Sequence, residues 1–169
     1  MILIVMGVSG SGKTTLAQAL VRLTGWQFAE GDDYHSEANR QKMHSGIPLT
    51  DEDRAPWLAT LHALILQWRQ RAEHGILTCS ALKQAYRETL TTDLPAEVYR
   101  FVLTEAPKAV IAQRMHARQH FMPAELLDSQ IATLELPADA LHVSALDPPE
   151  VAARKVLDAL EIAPLMETN

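Results

Sequence analysis

Apolar residues follow two spacings along this chain, and their alternation predicts an α/β protein. Ile2-Leu3-Ile4-Val5-Met6 is an unbroken apolar run of strand length, as expected of a strand covered on both faces. Leu16, Leu20 and Leu23, with Ala17 and Ala19, then recur at helical spacing until Thr24-Gly25. A short strand is expected over 26–30, and Ser36 is placed to cap a helix reaching about residue 43. Thr50-x-x-Asp53 resembles a capping box; the helix it opens carries Trp57, Leu58, Leu61, Leu64, Ile65 and Trp68 on one face and ends near His74-Gly75. Further strands read at 76–80, 98–103 and 141–144, with helices near 84–91, 107–118 and 149–160. Strands alternating with helices imply a parallel sheet in a three-layer α/β fold. The 169 residues, 47% of them hydrophobic, suit one domain with a single well-buried core. A helical lid is expected at about 114–137, and the tail from about 164 to 169 reads as loose.

The first strand runs straight into Gly7-Val8-Ser9-Gly10-Ser11-Gly12-Lys13-Thr14, a full G-x-x-x-x-G-K-[ST] string followed by a helix. Backbone N–H groups of such a loop surround phosphate oxygens, and the positive N-terminus of the next helix faces the same anion. Lys13 can set its ammonium on the β- and γ-phosphates, and the Thr14 hydroxyl can ligate Mg²⁺. Gly7 to Thr15 are therefore the expected ATP contacts.

Charge narrows the partners. A net charge of −6 argues against a general nucleic-acid or membrane-surface binder. The N-terminal apolar run is too short for a signal peptide or membrane span. One cysteine, Cys79, excludes an internal disulfide and suits a reducing cytoplasm. At the end of an apolar strand it reads as packing. His116 and His120 share a helical face but lack a metalloprotease glutamate or a third ligand, so zinc is disfavoured. Trp57 and Trp68, eleven apart, read as a core stripe.

A GTPase would need an Asn-Lys-x-Asp segment, which is absent, and the strands ending at Ser80 and Leu103 lack the terminal acidic residue of a motor ATPase. A small-molecule kinase remains. Asp32 and Asp33 follow the second strand at the edge where α/β sheets bind ligands, so either can accept the proton of an attacking hydroxyl, or simply cap the next helix. Arg40, Lys42, Arg54, Lys83 and Arg87 are candidate cations for an anionic second substrate, against the plainer reading of solvated surface charges.

Several blocks together resemble the gluconokinases. They are Gly31-Asp32-Asp33-Tyr34-His35, Asn39-Arg40-Gln41-Lys42-Met43, Gly46-Ile47-Pro48-Leu49-Thr50 through Arg54, and Pro56-Trp57-Leu58. Cys79-Ser80-Ala81-Leu82-Lys83 with Tyr86-Arg87, Arg114-x-x-x-Arg118 with His120-Phe121-Met122, and Leu126-Leu127-x-Ser129-Gln130-x-x-Thr133-Leu134-Glu135 continue the match. The resemblance implies a fold like adenylate and shikimate kinases, with a five-stranded parallel sheet in the order 2-3-1-4-5. It implies transfer of phosphate from ATP-Mg²⁺ to the C6 hydroxyl of D-gluconate, in a homodimer. Position 33 varies in the family, which favours Asp32 as the catalytic carboxylate beside Lys13 and Arg118. Gluconate is expected to meet Asp32, His35, Arg54, Lys83 and Arg87, and Arg114 and Arg118 to close over ATP. Shikimate or a nucleoside monophosphate as acceptor, and a nucleotide-dependent regulator without turnover, are the alternatives.

Overall fold

β1 (Ile2–Met6) is the centre of the sheet, its five apolar side chains all buried and both its edges paired. The structure, a computed structural model, describes residues 1–117 and 126–165. β3 (Gly75–Thr78) and β4 (Tyr99–Glu105) flank β1 in parallel, with Ile2 opposite both Gly75 and Tyr99. β2 (Gln27–Glu30) pairs outside β3, and β5 (Leu141–Ser144) outside β4. The order is β2-β3-β1-β4-β5, as the resemblance implied.

The chain order of helices follows the sequence pattern closely. α1 (Lys13–Thr24) ends at Gly25, whose φ of 66° provides the left-handed cap. Ser36 caps α2 (Glu37–His44) by accepting from the Asn39 N–H, and Thr50 and Asp53 form the expected reciprocal box on α3 (Asp51–Gln70). α4 (Gln84–Thr91), α5 (Lys108–Ala117), α6 (Leu126–Thr133) and α7 (Pro149–Ala159) complete the set.

α3 stops four residues before the expected His74-Gly75. Ala72 turns left-handed at φ 54°, and the Glu73 N–H closes back on the Trp68 carbonyl at 2.9 Å. Gly75 belongs to β3, where a Cβ would stand 2.2 Å from the Trp68 ring. The tail is held at least to Leu165, whose N–H donates to Leu23 O at 2.7 Å; residues 166–169 lie outside the described part.

The sheet separates two large apolar clusters. On one face α3 and α4 supply Trp57, Leu61, Ile65, Tyr86 and Leu90; on the other α1 and α7 supply Leu16, Leu20, Ala153 and Val156. The turns that follow β1, β2 and β3 gather at the carboxyl ends of their strands, where open α/β sheets bind ligands.

Candidate functional site

Three turns converge on one opening. The phosphate loop leaves β1, a 3₁₀ turn (Gly31–Tyr34) leaves β2, and residues 79–83 leave β3. The Gly7 N–H reaches Ser80 O at 3.4 Å, tying the first turn to the third. Gly10 (φ 75°) and Gly12 (φ 101°) take left-handed angles that favour glycine. A Cβ on Gly10 would also stand 2.8 Å from Met115 of α5. The loop is braced from inside, where the Ser11 and Thr104 hydroxyls lie 2.7 Å apart and Thr104 donates on to Met6 O.

Lys13 is buried and folds its Nζ back onto the Val8 carbonyl at 3.1 Å, inside its own loop. Thr14 donates its hydroxyl to Glu30 Oε2 at 2.6 Å, and the other Glu30 oxygen accepts from Thr78. Glu30 ends β2 and is missing from the sequence-based expectations, because there it reads only as the polar end of a short strand. The signal available was an acidic residue two positions before Asp32, at the same strand end.

Asp32 and Asp33 separate cleanly. Asp32, half-buried, lines both the phosphate-loop cleft, with Lys13 and Thr14, and the cavity beside it. Asp33 is exposed and lines neither; its carbonyl accepts from Arg40.

The second cavity draws its polar wall from α3, α4 and the 3₁₀ turn. His35 is stacked on Trp57, and burial, aided by the Arg54 and Arg40 charges, brings its pKa down to about 4. It is thus a neutral hydrogen-bonding group at neutral pH. Among the described residues, His35 Nδ1 and Arg54 Nε are the buried side-chain polar atoms with no partner, and both residues line this cavity. Orphaned buried donors or acceptors carry a cost that a polar ligand can relieve.

Lys83 gives Nζ to both oxygens of Asp51 at 2.8 Å, and Tyr86 donates its hydroxyl to the same carboxylate. The Lys83 bond, then that of Tyr86, holds the Asp51 carboxyl below the usual carboxylate range, and Asp51 in turn raises Lys83. In the sequence Asp51 is simply one member of the block from Gly46 through Arg54; in the fold it stands in the first turn of α3. Arg54 and Lys83 both sit over one ring, each 5.5 Å from the Tyr86 centroid.

Arg87 is not brought into this wall. It is buried and spends Nη1 on the carbonyls of Ala81 and Leu82, supporting the turn that carries Lys83. Lys42 is likewise committed, to Asp53, at 2.7 Å. Trp57 is core, as its spacing suggested, and also donates from Nε1 to Gly31 O at 2.7 Å. Cys79 is buried and its thiol is pushed up to about 12 by burial, which suits packing and not nucleophilic chemistry.

A third recess, on the far side of the loop, is bounded by Gly12, Thr15, Arg114, Val143 and Pro148. Arg114 donates to Ala145 O at 2.8 Å, which lays its guanidinium along the wall of this recess. Arg118, His120 and the following Phe121-Met122-Pro123 lie outside the described residues.

A five-stranded parallel sheet with a phosphate loop on its central strand, and a cation-bearing cavity opening onto that loop, defines a phosphate-loop kinase of small molecules. A family model described as AAA domain matches residues 2–137, and a gluconokinase of Gluconobacter oxydans (strain 621H) is 49% identical over 161 residues, 92% of this chain and 88% of that protein. The chain carries the AAA domain and belongs to the gluconokinase family. Two solved structures agree across nearly the whole molecule. An unliganded sugar kinase from Janibacter sp. HTCC2649 has a TM-score of 0.87 at 45% identity, covering 99% of this chain and 98% of its own. A gluconokinase from Sinorhizobium meliloti 1021 has a TM-score of 0.82 at 40% identity, covering 94% and 90%.

Proposed function

We propose that this protein phosphorylates D-gluconate at its C6 hydroxyl with ATP, giving 6-phosphogluconate and ADP. One observation carries the reading beyond family membership: Lys13 and Asp32 line both the phosphate-loop cleft and the acceptor cavity, so one lysine and one carboxylate face donor and acceptor together.

The chemistry follows from that placement. Phosphoryl transfer asks mainly for alignment and charge neutralisation. Asp32 accepts the proton of the C6 hydroxyl as its oxygen bonds to the γ-phosphorus, and the bond from that phosphorus to the bridging oxygen of ADP breaks. Lys13 leaves Val8 O for the β- and γ-phosphate oxygens and balances the charge that moves onto the leaving group. Arg118 is our candidate for a further cation at the transferring group. Thr14 and Asp32, which line the cleft, with Glu30 behind them on the Thr14 hydroxyl, offer oxygen atoms alone and suit Mg²⁺, which is held through oxygen ligands. When bound there, the ion neutralises charge on the β- and γ-phosphates.

At the acceptor end, Arg54 is the cation suited to the sugar-acid carboxylate, because Lys83 is already matched by Asp51. Lys83, Asp51, Tyr86 and neutral His35 then offer donors and acceptors for hydroxyls. Arg87 supports this wall from behind. We read the working form as a cytoplasmic homodimer with a lid at about 114–137. The dimer rests on the family resemblance, and the single, buried Cys79 suits a reducing compartment.

Coupled ADP release tests the reading. Gluconate is expected to drive ADP formation well above gluconate-free and shikimate controls; equal release in all three overturns it.

A further inference from the structure

α6 stands where donor site, acceptor site and their supports meet. Leu127 packs with Val8 of the phosphate loop and with Ile111 and Met115 of α5. Leu126 packs with Met43 of α2 and Leu49 just before α3. One turn further along the helix, Gln130 accepts the backbone N–H of Ser9 at 2.7 Å, a buried bond between residues 121 apart in sequence. Ser129, Gln130 and Thr133 also line the acceptor cavity, together with Ser9 and Lys13. A single helix therefore forms part of the acceptor's wall and grips the donor's loop.

The loop needs that grip. Its three glycines leave the backbone many conformations, and each external bond removes some of them. The Ser9 N–H is buried, so leaving it unmatched is costly, and the bond persists only while α6 keeps its seat. Whatever steadies α6 from the acceptor side steadies Ser9 as well.

We infer that Gln130 is a positioning residue that makes acceptor and nucleotide binding cooperative. An acceptor seated against α6 fixes Gln130, Gln130 fixes Ser9 and the phosphate loop, and ATP then meets a loop already ordered. By thermodynamic reciprocity, ATP favours the acceptor by the same factor. The inference rests on gluconate being the acceptor.

Calorimetric titration of the Mg²⁺ complex of a non-hydrolysable ATP analogue, with and without saturating D-gluconate, reads the coupling as a ratio of two Kd values. In the wild-type protein gluconate should tighten the analogue about 10-fold. In Gln130→Met, similar in size but unable to accept from Ser9, the ratio should fall to within about twofold of one. Gln130→Glu keeps an acceptor oxygen and should keep the ratio, although its charge weakens the analogue in both conditions. A merely structural Gln130 would weaken both titrations and leave the ratio alone. Amide exchange at Ser9 needs no variant: gluconate by itself should slow it at least about fivefold. A wild-type ratio of one, an unchanged ratio in Gln130→Met, or Ser9 exchange indifferent to gluconate overturns the inference. Gluconate-dependent ADP release is measured alongside. If it is absent, the proposed activity fails and takes the coupling with it; if it is present without coupling, the coupling alone fails.

Discussion

His35 lies flat against Trp57, ring centroids 4.1 Å apart and planes 18° from parallel, while the same indole hydrogen-bonds Gly31 O. The stack fixes the 3₁₀ turn that carries Asp32 and keeps the imidazole out of water. Its depressed pKa of about 4 makes stability pH-dependent, because the unfolded chain takes up a proton at about 6.5 that the folded one refuses. This contribution is whole above about pH 6.5 and is lost as pH falls towards 4. Allowing for solvent screening, the loss is on the order of 2 kcal/mol. Urea midpoints at pH 7 and pH 4.5 should therefore differ more for the wild-type protein than for His35→Gln; equal differences would count against it.

Asp32→Asn keeps size but loses the carboxylate, and kcat should fall by about 10² to 10⁴ with a smaller change in gluconate KM. Asp33→Asn should stay within a few-fold of wild type, since Asp33 lines neither cleft nor cavity. Steady-state kinetics that reverse this order would move the proton acceptor to Asp33.

Lys13→Ala removes the buried ammonium that now rests on Val8 O. Turnover should drop by about 10³ or more with the fold intact, since the lost interaction matters most in the transition state. Near-normal turnover in a variant with wild-type circular dichroism would refute this.

Arg54 and Arg87 should part company. Arg54→Ala is expected to raise gluconate KM by about 10- to 100-fold and leave ATP KM nearly unchanged, because it removes a charge-assisted contact to the carboxylate. Arg87→Ala should act on stability, by about 1–3 kcal/mol, because it strands the buried carbonyls of Ala81 and Leu82. Paired denaturation curves and kinetics distinguish the two.

Gly31→Ala tests the close approach of two strand ends. A Cβ there would lie 2.1 Å from Thr78 O, a backbone atom with no easy retreat. We expect a loss of about 2–3 kcal/mol in thermal or urea unfolding, together with lower activity as Asp32 is displaced. A variant as stable as wild type would contradict the placement.

Much of this was legible in the chain because its signals are local. The phosphate loop between an apolar strand and an amphipathic helix, the Ser36 and Thr50 caps, and the strand at 141–144 each depend on a few adjacent residues. The strand order is a non-local property, and only likeness to known kinases suggested it. Cross-chain partners were the hardest to see. Asp51 looks like an ordinary first-turn acid until Lys83 and Tyr86 arrive from α4 and the turn before it, 32 and 35 residues on. Arg87 reads as one more free cation until its two carbonyl partners are known. Glu30 and Gln130 gain meaning only from Thr14 and Ser9, which a pattern along one segment cannot supply.

The division of the interior by the sheet bears on how such an enzyme can be altered. The α3 and α4 part of the acceptor cavity rests on the apolar cluster of that face, whereas the recess beside Arg114 grows from α1, β5 and α7 and rests on the opposite cluster. Reshaping the α3 and α4 part of the pocket disturbs one foundation and leaves the other standing. Acceptor choice is thus free to drift, or to be engineered, from the α3 and α4 side of the pocket, whereas a change on α6 reaches the phosphate loop through Gln130 and alters both sites.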